Sequence, residues 1–174
     1  MKYLIYIGII ITVASCNSSN NEVLNIKQYE GPVMEVYDIV DYYSDSAMVK
    51  IKIEAPVKLD FENGDYEFPK GIFIEFYDKN GEVTNTLKAN YTQYNHETRE
   101  YKATGDVVMK GLKNKEQLNT EELFWNPDEE IVYTDKFVRI ETESQIVKGK
   151  GLHSNQDFTE WSIENSIGTI NLDE

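Results

Sequence analysis

The stretch Val49-Lys50-Ile51-Lys52-Ile53-Glu54 decides the fold class, because its side chains alternate strictly between aliphatic and charged. Successive side chains of a β-strand point to opposite faces, so this order places the aliphatic groups on one face and the charges on the other. The apolar residues of a helix would instead recur every three or four positions. The stretch therefore predicts a half-buried strand.

The segments that follow this strand continue the β pattern. Pro56 predicts a bend or a sheet edge, because proline cannot donate a ladder hydrogen bond. Residues 71–77 form a second apolar strand, and Asn80-Gly81 predicts a hairpin turn because both residues tolerate positive φ. Residues 83–94 are predicted to return as one strand, and residues 95–98 to form another turn.

The C-terminal half shows short strands separated by turn signals, and no long amphipathic helix competes with them. A bulge is expected at Glu121-Glu122, where the apolar spacing breaks. Turn signals every 8 to 12 residues or so predict a sandwich or a rolled antiparallel sheet, an all-β fold with no major helix. The predicted strands are residues 101–109, 118–125, 131–133, 137–141, 146–152, 159–163 and 168–172.

Residues 31–45 are ambiguous. Val33, Val36, Tyr37 and Val40 could form a helical stripe, yet the segment is rich in β-branched and aromatic residues. That composition favours a strand or an irregular edge.

The N-terminus predicts export and lipidation. Lys2 precedes an uncharged, isoleucine-rich segment too short to span a bilayer, and Val13-Ala14-Ser15-Cys16 resembles the lipobox of bacterial lipoproteins. The alternative is a transmembrane anchor with an incidental cysteine. We expect a signal peptide over residues 1–15, a polar tether over 16–27 that starts at lipidated Cys16, and a β-domain over 28–174.

Charge excludes several classes of partner. The chain has 17 Lys+Arg against 31 Asp+Glu, a formal net charge of −14. Nucleic acids and anionic headgroup surfaces attract basic patches, so neither is expected as a partner. His96 and His153 lie in separate turns, and no catalytic triad motif is present. Neither a metal site, nor a cofactor, nor an enzymatic activity is predicted.

Residues 87–170 resemble the LptC family of periplasmic lipopolysaccharide export proteins. The resemblance is carried by ordered landmarks over about half of the chain: Lys88-Ala89-Asn90-Tyr91, Tyr101-Lys102-Ala103-Thr104-Gly105-Asp106-Val107, the segments 118–125 and 132–140, Ile146-Val147-Lys148-Gly149-Lys150-Gly151-Leu152, and 163–168. The soluble bridge protein LptA shares such strands. The single-domain length and the N-terminal anchor favour LptC, and residues 31–78 match only by strand character.

The resemblance implies an open β-jellyroll and a role in building the cell envelope. In this family the roll cradles the acyl chains of lipopolysaccharide in an apolar groove. The lipid comes from an inner-membrane ABC transporter and passes to an LptA-like bridge protein, and open strand edges would permit docking between rolls. Members usually carry a transmembrane helix, which a lipid on Cys16 would replace here. That anchor is expected on the periplasmic face of the inner membrane, with the outer membrane as the alternative.

Alternation predicts which residues face inward and could line the groove, although ordinary core packing explains each of them equally well. An envelope β-sandwich lipoprotein with a filled core, binding protein or carbohydrate, is the alternative function. The lipid-binding candidates are Ile51, Ile53, Ile74, Phe76, Tyr101, Ala103, Val107, Leu123, Trp125, Val138, Ile140 and Trp161.

Overall fold

In the computed structural model, which describes residues 29–172, the chain forms one antiparallel sheet of eleven strands without a helix. This confirms the all-β prediction and fits the rolled, jellyroll-like architecture. The strands are β1 (Met34–Asp45), β2 (Met48–Asp60), β3 (Tyr66–Phe68), β4 (Ile72–Tyr77), β5 (Val83–Ala89), β6 (Tyr91–Asn95), β7 (Glu100–Gly111), β8 (Glu116–Asn126), β9 (Ile131–Glu141), β10 (Gln145–Asn155) and β11 (Trp161–Asn171).

The sheet is a meander in which each strand pairs with the next along the chain, except that β3 does not pair with β4 and β5 does not pair with β6. β2 pairs with β4 through Ile51–Glu54 and with β3 through Leu59 and Asp60. β3 and β4 therefore lie end to end along the same side of β2. β5 and β6 likewise share β7, which pairs with β6 near its start and with β5 near its end. The two short pairs are therefore two long strands, each broken once in the middle.

A line of irregularities crosses the sheet at these breaks, and we call it the fold line. β3 and β4 are separated at Gly71, whose φ of 92° only glycine adopts readily, and β5 and β6 are separated at Asn90. The register between neighbours shifts at the same level in the longer strands, between Thr104 and Val107, between Thr120 and Phe124, and between Lys150 and Leu152. Bulges of this kind bend strands and increase their twist.

The sheet folds over along this line, so that its two halves face each other. We call the half that contains β4 and β5 leaf A and the half that contains β3 and β6 leaf B. The longer strands contribute one end to each leaf. Phe76 of leaf A meets Trp125 of leaf B edge to face, although two strands separate β4 from β8 in the sheet. The buried residues of both leaves form one hydrophobic cluster between them.

Three of the predicted strand boundaries are wrong, and each error falls on or near the fold line. Residues 83–94 are two strands rather than one, because Asn90 breaks them. Residues 131–133 and 137–141 belong to one strand, β9, with an irregularity between them. The predicted strands 159–163 and 168–172 likewise fall mostly within one strand, β11, which begins at Trp161 and ends at Asn171 and whose register shifts between Ser166 and Gly168. Local patterns show a break in pairing but not whether a strand continues beyond it.

Two other expectations are confirmed. The ambiguous segment contains strand β1, and the bulge expected at Glu121-Glu122 lies where β8 changes register against β9. Pro56 lies inside β2, at the level where that strand exchanges β4 for β3 as its neighbour. Its missing N–H therefore removes no bond to either strand.

Cys16, the signal peptide and the tether lie outside the described residues. Residues 29–172 contain no helix that is long and apolar enough to cross a bilayer.

Candidate functional site

The inner faces of the two leaves hold all twelve of the predicted inward residues. Ten of them are buried, and Tyr101 and Trp161 are half-buried against the same cluster. The buried ten are Ile51, Ile53, Ile74, Phe76, Ala103, Val107, Leu123, Trp125, Val138 and Ile140. Alternation thus identified the face correctly, and whether these residues contact a ligand is a separate proposal.

The interior is not filled uniformly, because a cavity of about 200 Å³ lies between the leaves on the β1–β2 side. Ile51 and Ile53 of leaf A form one wall. Aromatic rings of leaf B form the other, where Tyr66 stacks on Tyr94 with ring centroids 4.4 Å apart and Tyr101 stacks on Trp125 at 4.6 Å. We call this space the tyrosine cavity. Its lining is apolar except at the phenol hydroxyl groups and at Arg99 and Asp128.

Two of these hydroxyl groups satisfy each other. The oxygens of Tyr66 and Tyr101 lie 2.6 Å apart, so one donates a hydrogen bond to the other. Burial raises the pKa of Tyr101 to about 12, and burial, followed by the proximity of Tyr101, raises the pKa of Tyr66 above its usual range. Both phenols therefore stay neutral at physiological pH, and the wall carries no charge.

The hairpin turns of the two leaves approach each other at the entrance to the tyrosine cavity. We call this entrance, between the two rows of turns, the mouth. Arg99 and Asp128 form an exposed ion pair at the edge of the cavity, with Nη1 and Oδ2 3.0 Å apart. A second cavity of about 590 Å³, which we call the acidic cavity, opens beside it, and its lining includes five carboxylates together with Lys50 and Lys79. The acidic residues are Asp45, Asp78, Asp128, Glu130 and Asp157.

A third cleft, of about 540 Å³, lies on the fold line where β2 leaves β4. Its floor includes the buried side chains of Ile39, Ala55 and Ile72, and Lys70 and Lys88 stand at its rim. This cleft is a local gap in the sheet wall, because β2 has no neighbour on that side between its pairings with β4 and β3.

Several residues that shape the interior were missed from sequence. Tyr43, Tyr66 and Tyr94 line the tyrosine cavity, and Phe158 is buried in the loop after β10. Alternation in Tyr66-Glu67-Phe68 and in Thr92-Gln93-Tyr94 would have indicated two of the tyrosines. No local signal marks Phe158, since it lies outside every strand.

The edges of the sheet complete the site. Among the described residues, β1 pairs only with β2 and β11 pairs only with β10, so each presents one unpaired backbone edge. Both strands are mostly exposed, with large apolar side chains such as Tyr42 and Ile167 on the surface. Open edges of this kind can pair with a strand of another chain.

The chemistry that this arrangement supports is the burial of apolar groups. Within residues 29–172 no cluster of three or more His, Cys, Asp or Glu side chains is placed to hold a metal ion. The inner faces offer hydrocarbon and aromatic surface, and the charged groups lie at the mouth and on the outside. A space of this kind excludes water from an apolar ligand.

Comparison with protein families identifies one match. The model of the family described as "Lipopolysaccharide-assembly, LptC-related" matches residues 9–169, most of the chain. A search of curated protein sequences finds no match. The family match agrees with the all-β roll and implies a role in lipopolysaccharide transport, in the periplasm and in association with the inner membrane. The chain therefore belongs to the LptC-related family of lipopolysaccharide-assembly proteins.

Proposed function

We propose that this protein accepts lipopolysaccharide from an inner-membrane ABC transporter, holds the acyl chains between its two leaves, and passes the lipid to an LptA-like bridge protein. The observation that carries the proposal is a single sheet folded over itself, with apolar inner faces and a mouth that is open at the tyrosine cavity. Family membership supplies the substrate class.

The energetic requirement for such a carrier is an extended apolar surface. Removing one methylene group from water is worth about 0.8 kcal/mol, so a lipid with several acyl chains gains most from a long lining. The twelve inward residues run from β2 to β11 and supply that surface. Because most of them are buried in the roll, the leaves must separate to admit the lipid.

Transfer between proteins would use the two edge strands. A roll that docks at β11 onto an open edge strand of the bridge protein would continue the sheet, and the inner faces of the two proteins would then align. The chain contains no Gly-x-x-x-x-Gly-Lys-Ser/Thr nucleotide-binding motif, so the driving force is assigned to the ABC transporter.

The anchor is proposed to be lipid on Cys16, in the outer leaflet of the inner membrane. Two or more acyl chains hold a protein stably on a bilayer without a transmembrane helix. The tether over residues 16–27 would span at most roughly 40 Å when fully extended, at about 3.3 to 3.6 Å per residue. It would keep the β-domain over residues 28–174 close to the transporter.

Site-specific photo-crosslinking in cells that produce lipopolysaccharide tests the proposal. A photoreactive residue at Phe76, which is buried near the mouth, should form a lipopolysaccharide adduct, and one at Val138 reports on the deeper core. Phe73 and Phe137 are exposed positions on the same two strands and serve as matched controls. Equal labelling of inward and exposed positions, or no adduct at any inward position, would support the filled-core alternative instead.

A further inference from the structure

One loop crosses the mouth and joins the two leaves. It follows β10 of leaf B and spans residues 156–160. Asn85 of leaf A donates a 2.7 Å hydrogen bond from Nδ2 to the carbonyl oxygen of Gln156, and the side chain of Asn85 is fully buried. Trp125 of leaf B donates from Nε1 to Oε1 of Gln156 at 3.2 Å. Gln156 is thus bonded to both leaves.

Phe158 is the apolar residue of this loop, and it lies in the core. Its side chain is 1% exposed, and Cδ1 lies 3.5 Å from the place where a Cβ on Gly111 of leaf A would stand. Its φ is 54°, a left-handed conformation that is strained for a bulky residue. The loop therefore accepts backbone strain at the position where it inserts an aromatic ring between the leaves.

The loop is organised as a unit that could move without unfolding. Asn155, the last residue of β10, holds the loop in its turn, because its Oδ1 accepts hydrogen bonds from the backbone N–H groups of Thr159 and Glu160. Its carbonyl oxygen accepts a further bond from the N–H of Phe158. These bonds tie the loop to the end of β10, and its bonds to the rest of the roll run through Gln156, including one from its N–H to the carbonyl oxygen of Glu130.

The two sides of the mouth differ as a result. Between β1, β2 and β8 the tyrosine cavity and the acidic cavity open between the leaves. Toward β10 and β11 Phe158 stands between them, and beyond it Val138, Ile140 and Leu152 are almost completely buried. An apolar chain that enters at the tyrosine cavity would meet Phe158 before it could reach β10 and the C-terminal edge.

We propose that Phe158 is a plug that occupies an acyl-chain site between the leaves, and that an incoming acyl chain displaces it as the 156–160 loop swings out. This inference rests on the proposed function. Exchange of a phenyl ring for a hydrocarbon chain keeps the core free of water. Because only the open fraction of the protein can bind, the plug weakens the apparent affinity for the lipid by that fraction.

The test measures lipopolysaccharide adducts at Val138, in cells, with the full-length chain and normalised to folded protein. Phe158→Ala should raise the adduct at Val138 by roughly tenfold, because the closed state loses its plug. Phe158→Leu keeps an apolar plug and should resemble the wild type. Phe68→Ala is the matched control, since Phe68 is equally buried but lies on β3, away from the loop. It should lower stability without raising the adduct.

A second variant keeps the plug and loosens the loop. Gln156→Ala removes the acceptor of the Trp125 indole N–H. It should raise the amount of adduct at Val138, but by less than Phe158→Ala does. This variant tests the plug if the Phe158→Ala protein does not accumulate. The plug is overturned if neither Phe158→Ala nor Gln156→Ala raises the Val138 adduct while wild-type protein is labelled at Phe76. Absence of adducts at Phe76 as well as at Val138, in every variant, would instead overturn the proposed function.

Discussion

Phe76 and Trp125 lie edge to face with ring centroids 5.2 Å apart, and this contact joins the two leaves across the interior. Both side chains are at most 3% exposed. Aromatic pairs in this geometry contribute about 0.5 to 1.5 kcal/mol beyond the area that they bury. The pair therefore helps to hold the two leaves together next to the mouth.

Phe76→Ala is expected to lower the free energy of unfolding by about 3 to 5 kcal/mol, the usual cost of removing a buried aromatic ring. Urea titration measures it, with Phe73→Ala on the exposed face of β4 as the control. A double-mutant cycle with Trp125→Ala should return a favourable coupling of about 1 kcal/mol. A coupling of zero would mean that the two rings do not hold the leaves together.

The buried phenol of Tyr101 predicts a loss of stability at high pH. Its pKa is raised from an ordinary value of 10.0 to about 12, so the folded protein holds the proton more tightly than the unfolded chain. The resulting contribution, on the order of 2 kcal/mol, is complete below pH 10 and is lost as the pH rises to about 12.

The measurement is the free energy of unfolding against pH for wild type and for Tyr101→Phe. Tyr66, Tyr91 and Tyr133 also have raised pKa values and contribute to the same decline, so the difference between the two proteins reports Tyr101 together with its effect on the pKa of Tyr66. The variant should show a shallower decline from pH 10 to 12. Parallel curves would contradict the assignment.

The unpaired edge of β11 predicts that a proline there uncouples the bridge protein. Ile167 is the best position, because it falls at the register shift between the pairs Lys148–Gly168 and Gly149–Ser166 and has no partner in β10. Ile167→Pro removes a backbone donor without replacing a residue that is in register with β10. Ile167→Ala keeps the donor and serves as the control.

Co-purification with the bridge protein should fall for the proline variant and persist for the alanine variant. Thermal unfolding of both variants checks that the roll is intact. If Ile167→Pro leaves co-purification unchanged, docking does not use this part of β11. Prolines at the other positions from Glu164 to Thr169 then test the rest of the edge.

If lipid on Cys16 serves only as an anchor, another anchor that holds the protein at the same membrane should be able to replace it. Cys16→Ser should prevent lipidation and release the protein from the membrane, which fractionation and a mobility shift can detect. An unrelated transmembrane helix fused in place of residues 1–15 of the Cys16→Ser variant should restore export if the anchor only holds the roll in place. Failure of that fusion, with the protein correctly located, would show that the lipid takes part in transfer.

The amino-acid sequence by itself determined the local properties of this protein. Alternation in β2 and β4 defined which face of each strand is apolar, and Asn80-Gly81 marked a hairpin, because side-chain direction and turn geometry depend on neighbouring residues alone. The ordered landmarks from Lys88 onward indicated the family in the same way. All twelve inward residues were found without reference to the fold.

How those faces meet depends on tertiary contacts. The fold line through Gly71, Asn90 and Gly151 brings Phe76 against Trp125, and it places Phe158 between the leaves. These contacts join residues that are far apart in the chain, and a one-residue register shift in each of several strand pairs sets their alignment. The broken apolar spacing at Glu121-Glu122 marked one of these shifts, but no local pattern gives their combined effect, because that depends on how the two apolar faces close on each other.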